Sequence, residues 1–136
     1  MGLAERRRIA EIKGENATYQ SEFNDVTGMD IPIEIDASTF PENKVVLDGY
    51  KSYKAYGVPM VINIFKDVCK DNLGKEAVKE KIKSVRVVNT SKNGEDSGEM
   101  EVVLNDGELL IKYGFYQYSD KLWGETELKE KIEEML

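Results

Sequence analysis

The sequence has no histidine and a single cysteine, and each shortage removes a class of chemistry. Without imidazole there is no base of ordinary pKa near neutrality and no histidine metal ligand. One thiol, Cys69, forms neither an intrachain disulfide nor a cysteine-based zinc site. Long apolar runs are missing too. The longest, 58–65, is interrupted by Pro59 and Asn63, well short of the roughly 18 residues that span a bilayer. Arg6-Arg7-Arg8 is followed by Ala10-Glu11-Ile12-Lys13, where a signal peptide needs an apolar stretch. Arg6 stands where a myristoylation motif requires Ser or Thr. These features predict a cytoplasmic protein without a membrane segment. Phosphate loops are equally absent: neither G-x-G-x-x-G nor G-x-x-x-x-G-K-[ST] occurs. Positive charge is in deficit, with a net charge of -7 and a pI near 4.8, which argues against a nucleic-acid partner.

What is present describes a globular chain. Its 136 residues, 40% hydrophobic and 33% charged, suit one domain spanning 1–136. The segment 3–27 reads as one long helix: Ile9, Ile12, Asn16, Tyr19, Phe23 and Val26 form a single stripe, and Gly28 supplies the C-terminal stop. Gly14 predicts a local kink in it. Asn16 is the polar member of that stripe, so it needs a buried partner or a place at the rim. With the helix packed inside its own chain, Asn16→Leu should leave oligomeric state unchanged and stability similar or higher.

Ile31-Pro32-Ile33-Glu34-Ile35-Asp36 alternates as a strand does, and Pro32 marks it as an edge or a beginning. Helices are predicted over about 42–56, 58–70, 75–83 and 124–136. In the last, Leu128, Ile132 and Met135 share a face, with Glu125–Lys129 and Glu127–Lys131 as supporting pairs. The residues about 84–90 read as a strand and 91–98 as a loop. Asp106-Gly107 between two alternating runs signals a type I′ hairpin. Its register pairs Leu104 with Leu109, Val102 with Ile111 and Met100 with Tyr113 on one side. Glu101–Lys112 and Val103–Leu110 pair on the other. The order α-β-α-α-α-β-β-β-α, with helices and strands segregated, predicts an α+β fold. Its sheet should be largely antiparallel, with three to four strands (about 31–36, 84–90, 99–105 and 108–116), packed against a long N-terminal helix, central helices and a C-terminal helix.

No constellation carries catalysis. Asp67 and Asp71, four apart, read as solvated charge, as does the Arg6–Arg8 run. Asn93-Gly94-Glu95-Asp96 lacks calcium-loop spacing. Asn72-Leu73-Gly74-Lys75 is an ordinary helix start, and Cys69 a buried thiol. Ser52 with Lys54, and Ser84 with Lys83, show no S-x-x-K motif. Two aromatic groups remain: Tyr50, Tyr53 and Tyr56 at intervals of three, and Tyr116, Tyr118 and Trp123 where the chain leaves the last strand. These six rings are the candidate interaction surface, and capping of the core's open end is the competing role. The sequence therefore predicts a small acidic, non-catalytic protein without catalytic residues, metal or cofactor. It would act as an adaptor, inhibitor or immunity-type protein on a basic protein partner, as a monomer or weak homodimer. The alternative is a small-ligand-binding domain or an enzyme using carboxylates and tyrosines. A concave apolar pocket walled by Tyr50, Tyr53 and Tyr116 would favour that alternative.

Overall fold

A computed structural model describes residues 2–116 and 119–136. The described residues form six α-helices and a four-stranded sheet, an α+β architecture. The helices are α1 (Leu3–Gly14), α2 (Asn16–Thr27), α3 (Lys44–Tyr53), α4 (Val58–Val68), α5 (Asn72–Lys81) and α6 (Glu125–Met135). The strands are β1 (Ile33–Ile35), β2 (Ser84–Asn89), β3 (Glu101–Asn105) and β4 (Glu108–Tyr113). None of these helices is long and apolar enough to cross a membrane.

The predicted N-terminal helix is split at Glu15, directly after the kink-prone Gly14. Glu15 keeps helical angles, and its N–H is shared between the carbonyls of Glu11 and Ile12 at 3.1 and 3.2 Å. Gly28, at φ 69°, ends α2 in the left-handed conformation. Asn43 caps α3, its Oδ1 accepting from the N–H groups of Val45 and Val46. Helix α5 begins three residues before its predicted start, because Asp71 caps it through the Gly74 N–H at 2.8 Å. Gly74 is demanded by crowding: a Cβ there would stand 1.7 Å from the Val68 carbonyl oxygen.

The hairpin matches its predicted register, from Leu104↔Leu109 to Glu101↔Lys112. Asp106 and Gly107 both have positive φ, as a type I′ turn requires. The expectation of a largely antiparallel sheet is corrected. The order is β1-β2-β4-β3, with β1–β2 and β2–β4 parallel and only β3–β4 antiparallel. Two connections cause this. Helices α3 to α5, read in sequence as a separate block, form one long crossover that returns the chain parallel to β1. The stretch 90–100 then carries the chain past β2's neighbour to the outer position, and the hairpin turns β4 into the gap.

All six helices cover one face of this sheet. Their buried residues join Ile33, Ile35, Val85, Val87, Leu109 and Ile111 in one core, which includes the Phe23–Phe65 edge-to-face pair at 5.0 Å. The opposite face carries Glu34, Arg86, Lys112, Glu101, Leu110 and Val103, none of which belongs to that core. Arg86 there bonds Asp36 at 3.0 Å and Glu108 at 3.3 Å, and Lys112 lies 3.6 Å from Glu101. In α6, Lys129 pairs with Asp67 of α4 instead of with Glu125, whose carboxylate accepts from the Asn63 amide.

Asn16 does find a partner inside the chain. Its Nδ2 donates to the Ile35 carbonyl at 3.0 Å, and its Oδ1 accepts from the Ile35 N–H at 2.8 Å. One turn later Gln20 repeats the arrangement, donating to the Ile31 carbonyl at 2.8 Å and accepting from the Ile33 N–H at 2.9 Å. Two side-chain amides thus occupy the position of a missing strand along the outer edge of β1.

Candidate functional site

Three of the strands, β1, β2 and β4, run parallel, so their carboxyl ends share one rim of the sheet. The rim is tied together by Asn89 at the end of β2. Its Nδ2 donates to the carbonyls of Thr39 and Ser91, and its Oδ1 accepts from the N–H groups of Ser91 and Phe115. Thr90 Oγ1 accepts the Glu99 N–H at 2.8 Å, and Ser91 Oγ donates to the Asp96 carbonyl. A cleft of about 720 Å³ lies here, walled by Ser38–Pro41, Asn89–Lys92 and Asp96, Gly98 and Glu99. Ligands of open α/β sheets sit at such rims, yet this one lacks the reversal of strand order that opens a binding crevice. The Thr39, Thr90 and Ser91 hydroxyls and the Asn89 amide lining it bond to the protein's own backbone, and the Ser38 hydroxyl bonds to the Asp36 carboxylate, which leaves few groups aimed at a ligand.

Beneath the rim lies an aromatic layer. Tyr50 meets Phe40 and Phe115 edge-on, each at 5.0 Å, and Tyr113 stacks on Phe115 at 5.1 Å. The six predicted surface rings therefore divide. Tyr50 and Trp123 are buried and serve the core: the Trp123 Nε1–H donates to the Lys112 carbonyl at 3.1 Å. Tyr53 and Tyr56 stand side by side with centroids 6.4 Å apart, and Tyr56 is 45% exposed. Tyr116 is half-buried, and Tyr118 lies outside the described residues. The Tyr50 hydroxyl donates to Glu15 at 2.7 Å, and Lys54 holds the other Glu15 oxygen at 3.0 Å. Burial and the Glu15 carboxylate together push the Tyr50 phenol far above its ordinary pKa, so it remains a donor at every working pH. The cleft that Tyr50 lines, between α1 and α3, has charged walls of Arg8, Glu11, Glu15, Lys51 and Lys54, and neither Tyr53 nor Tyr116 belongs to it.

Other candidates have structural duties. Arg6 pairs with Glu42, and Arg8 binds Asp48 and the Leu47 carbonyl, fastening α1 to α3. Burial raises the Cys69 thiol, the opposite of nucleophilic activation. Among the described residues no group of three or more Cys, Asp and Glu is placed to hold a metal.

The distribution of charge was the feature that residue-by-residue reading overlooked. Residues 14–43 contain Glu15, Glu22, Asp25, Asp30, Glu34, Asp36 and Glu42, and no Lys or Arg. The other 19 acidic residues balance the 19 basic ones, so the whole net charge of -7 resides in this segment. Three of the seven are answered from elsewhere: Glu15 by Lys54, Asp36 by Arg86 and Glu42 by Arg6. Glu22, Asp25, Asp30 and Glu34 are exposed and have no ion pair among the described residues. They lie on α2, on the turn that follows it, and on β1. A running charge sum along the sequence finds this segment without any structure.

Comparison with family models, with curated proteins and with solved structures finds no match for this chain.

Proposed function

We propose that this protein is a non-catalytic binding module whose acidic α2–β1 surface engages a basic protein partner. The observation that carries the reading is the confinement of the entire net charge to 14–43, with Glu22, Asp25, Asp30 and Glu34 exposed and without an ion pair among the described residues. Unpaired like charges on adjoining elements repel one another and weakly destabilise the fold. A cationic partner relieves that repulsion and is steered toward the surface by it. Tyr53 and Tyr56, beside the Lys54 that bonds Glu15, add aromatic area near one end of the segment. A cytoplasmic setting accords with a single buried thiol.

The test compares wild type with the variant Glu22→Gln/Asp25→Asn/Asp30→Asn/Glu34→Gln, each used to capture partners from the source cells. The reading expects a basic protein retained by wild type, released as salt is raised from about 50 to 500 mM, and lost from the variant. Equal retention by both proteins, or retention indifferent to salt, overturns it.

A further inference from the structure

The two edges of the sheet are managed in opposite ways. Edge strands invite pairing, and proteins usually blunt them with lysine, proline, a bulge or a cover. At β1 the outward N–H groups of Ile33 and Ile35 and the Ile35 carbonyl are taken by the Asn16 and Gln20 amides. At β3 no described residue does this. Its five residues, Glu101-Val102-Val103-Leu104-Asn105, include no lysine or proline, and the pairing with β4 runs without a bulge.

The register shows which groups are bare. Asn105 and Glu108 flank a two-residue turn, so they form the close hydrogen-bonded pair. Alternation makes Val103↔Leu110 the next such pair and turns the N–H and C=O of Val102 and Leu104 outward. No described residue bonds these four groups. Between them sits Val103, on the sheet face away from the helices and 39% exposed, an apolar β-branched side chain in the middle of an open edge.

We propose that β3 is a self-association edge, where a second copy of this chain adds its own β3 antiparallel about a two-fold axis through Val103. In that arrangement Val102 and Leu104 each exchange two hydrogen bonds with the partner's Leu104 and the partner's Val102. Val103 meets the partner's Val103 at the central site, where the ladder has no hydrogen bonds and side chains approach most closely. Glu101 faces the partner's Asn105, so no like charges oppose each other. The exposed valine becomes the centre of an apolar row with Leu110 on either side. A strand of five residues is about 17 Å long and cannot by itself bury the roughly 800 Å² per partner typical of a stable interface, so the dimer is weak and concentration-dependent. This inference is independent of the acidic surface.

Sedimentation of the wild type up to about 1 mM, where weak strand pairing becomes populated, is expected to show a monomer–dimer equilibrium. Val103→Lys places two ammonium groups face to face and should raise the dissociation constant about tenfold or more, with the thermal unfolding of the monomer little changed. Val103→Cys should form an intermolecular disulfide under mild oxidation, because the central pair brings its Cα atoms to about 4.5 Å, within disulfide reach. Asn105→Cys, at a position that is also exposed, should not, since its copy would lie about 13 Å away along the strand. The buried Cys69 does not interfere. A wild type that stays monomeric, a dimer that survives Val103→Lys, or cross-linking no better at 103 than at 105 overturns the proposal.

Discussion

Two buried tyrosines with different surroundings make opposite demands on their hydroxyl groups. Tyr113 is wholly inaccessible, and its Oη has no hydrogen-bond partner among the described residues. Burial raises its pKa strongly, with no other group contributing. Removing an unsatisfied buried hydroxyl relieves a desolvation cost, so Tyr113→Phe should hold stability or raise it by about 1 kcal/mol. Tyr50, whose hydroxyl donates to Glu15, should lose about 1–2 kcal/mol as Tyr50→Phe. Urea unfolding of both variants decides the matter. If Tyr113→Phe falls by as much as Tyr50→Phe, the Tyr113 hydroxyl has a partner after all.

At the scale of elements, the junction between α2 and β1 has a different basis from the rest of the core. Most helices meet the sheet through apolar side chains, whereas α2 also holds β1 and the residues leading into it by four amide–backbone hydrogen bonds of 2.8 to 3.0 Å, three to β1 and one to Ile31. This reverses the stability expected of Asn16→Leu. The leucine would fit the stripe but leave the Ile35 N–H and C=O unanswered, at a cost of about 2 kcal/mol. Hydrogen exchange should register the loss locally, with the amides of Ile33 and Ile35 opening well before those of Leu109 and Ile111. A leucine variant as stable as wild type would mean that water replaces the amide without penalty. The split at Glu15 belongs to the same junction: it lets α1 follow α3 through Arg8–Asp48 while α2 lies along β1.

For the whole molecule, the ionisable groups define a plateau of stability. Burial alone would raise Asp36, but the Ser38 hydroxyl, the Arg86 guanidinium and the Ser38 N–H outweigh it and hold the carboxyl below its usual range. The Arg8 hydrogen bond does the same for Asp48 against slight burial. A carboxyl depressed by folding contributes stability that is present above its unfolded pKa, about 3.9, and lost as pH falls through the folded value. At the other end, burial raises Cys69, Tyr19, Tyr50 and Tyr113. Their contribution is present below the unfolded values, about 8.5 for the thiol and 10 for the phenols, and declines as pH rises beyond them. No histidine titrates between these limits. Thermal unfolding should therefore vary little from about pH 5 to 8, fall below about pH 4 and fall again above about pH 9. A step centred near pH 6.5 would contradict this account.

Local chemistry determined a good part of this protein. The turn Asp106-Gly107 needs positive φ at both positions, and alternation on either side leaves one register that buries Val102, Leu109 and Ile111 together. The stripe from Ile12 to Phe23, the stop at Gly28 and the amphipathic α6 were legible for the same reason: each depends on residues within one or two turns of one another. The confinement of charge to 14–43 was equally present in the sequence, though only a sum along the chain exposes it. Tertiary structure alone decided which strands are neighbours. Parallel pairing of β1 with β2 leaves no mark on either strand, because it depends on where the crossover of three helices ends. It also decided that Tyr50 and Trp123 turn inward while Tyr56 stays out, since the rim is enclosed by Phe40 and Phe115 from distant parts of the chain. Asn16 is the clearest case. Its spacing placed it on the buried stripe, but the backbone groups that make an amide right for that place belong to Ile35, 19 residues away.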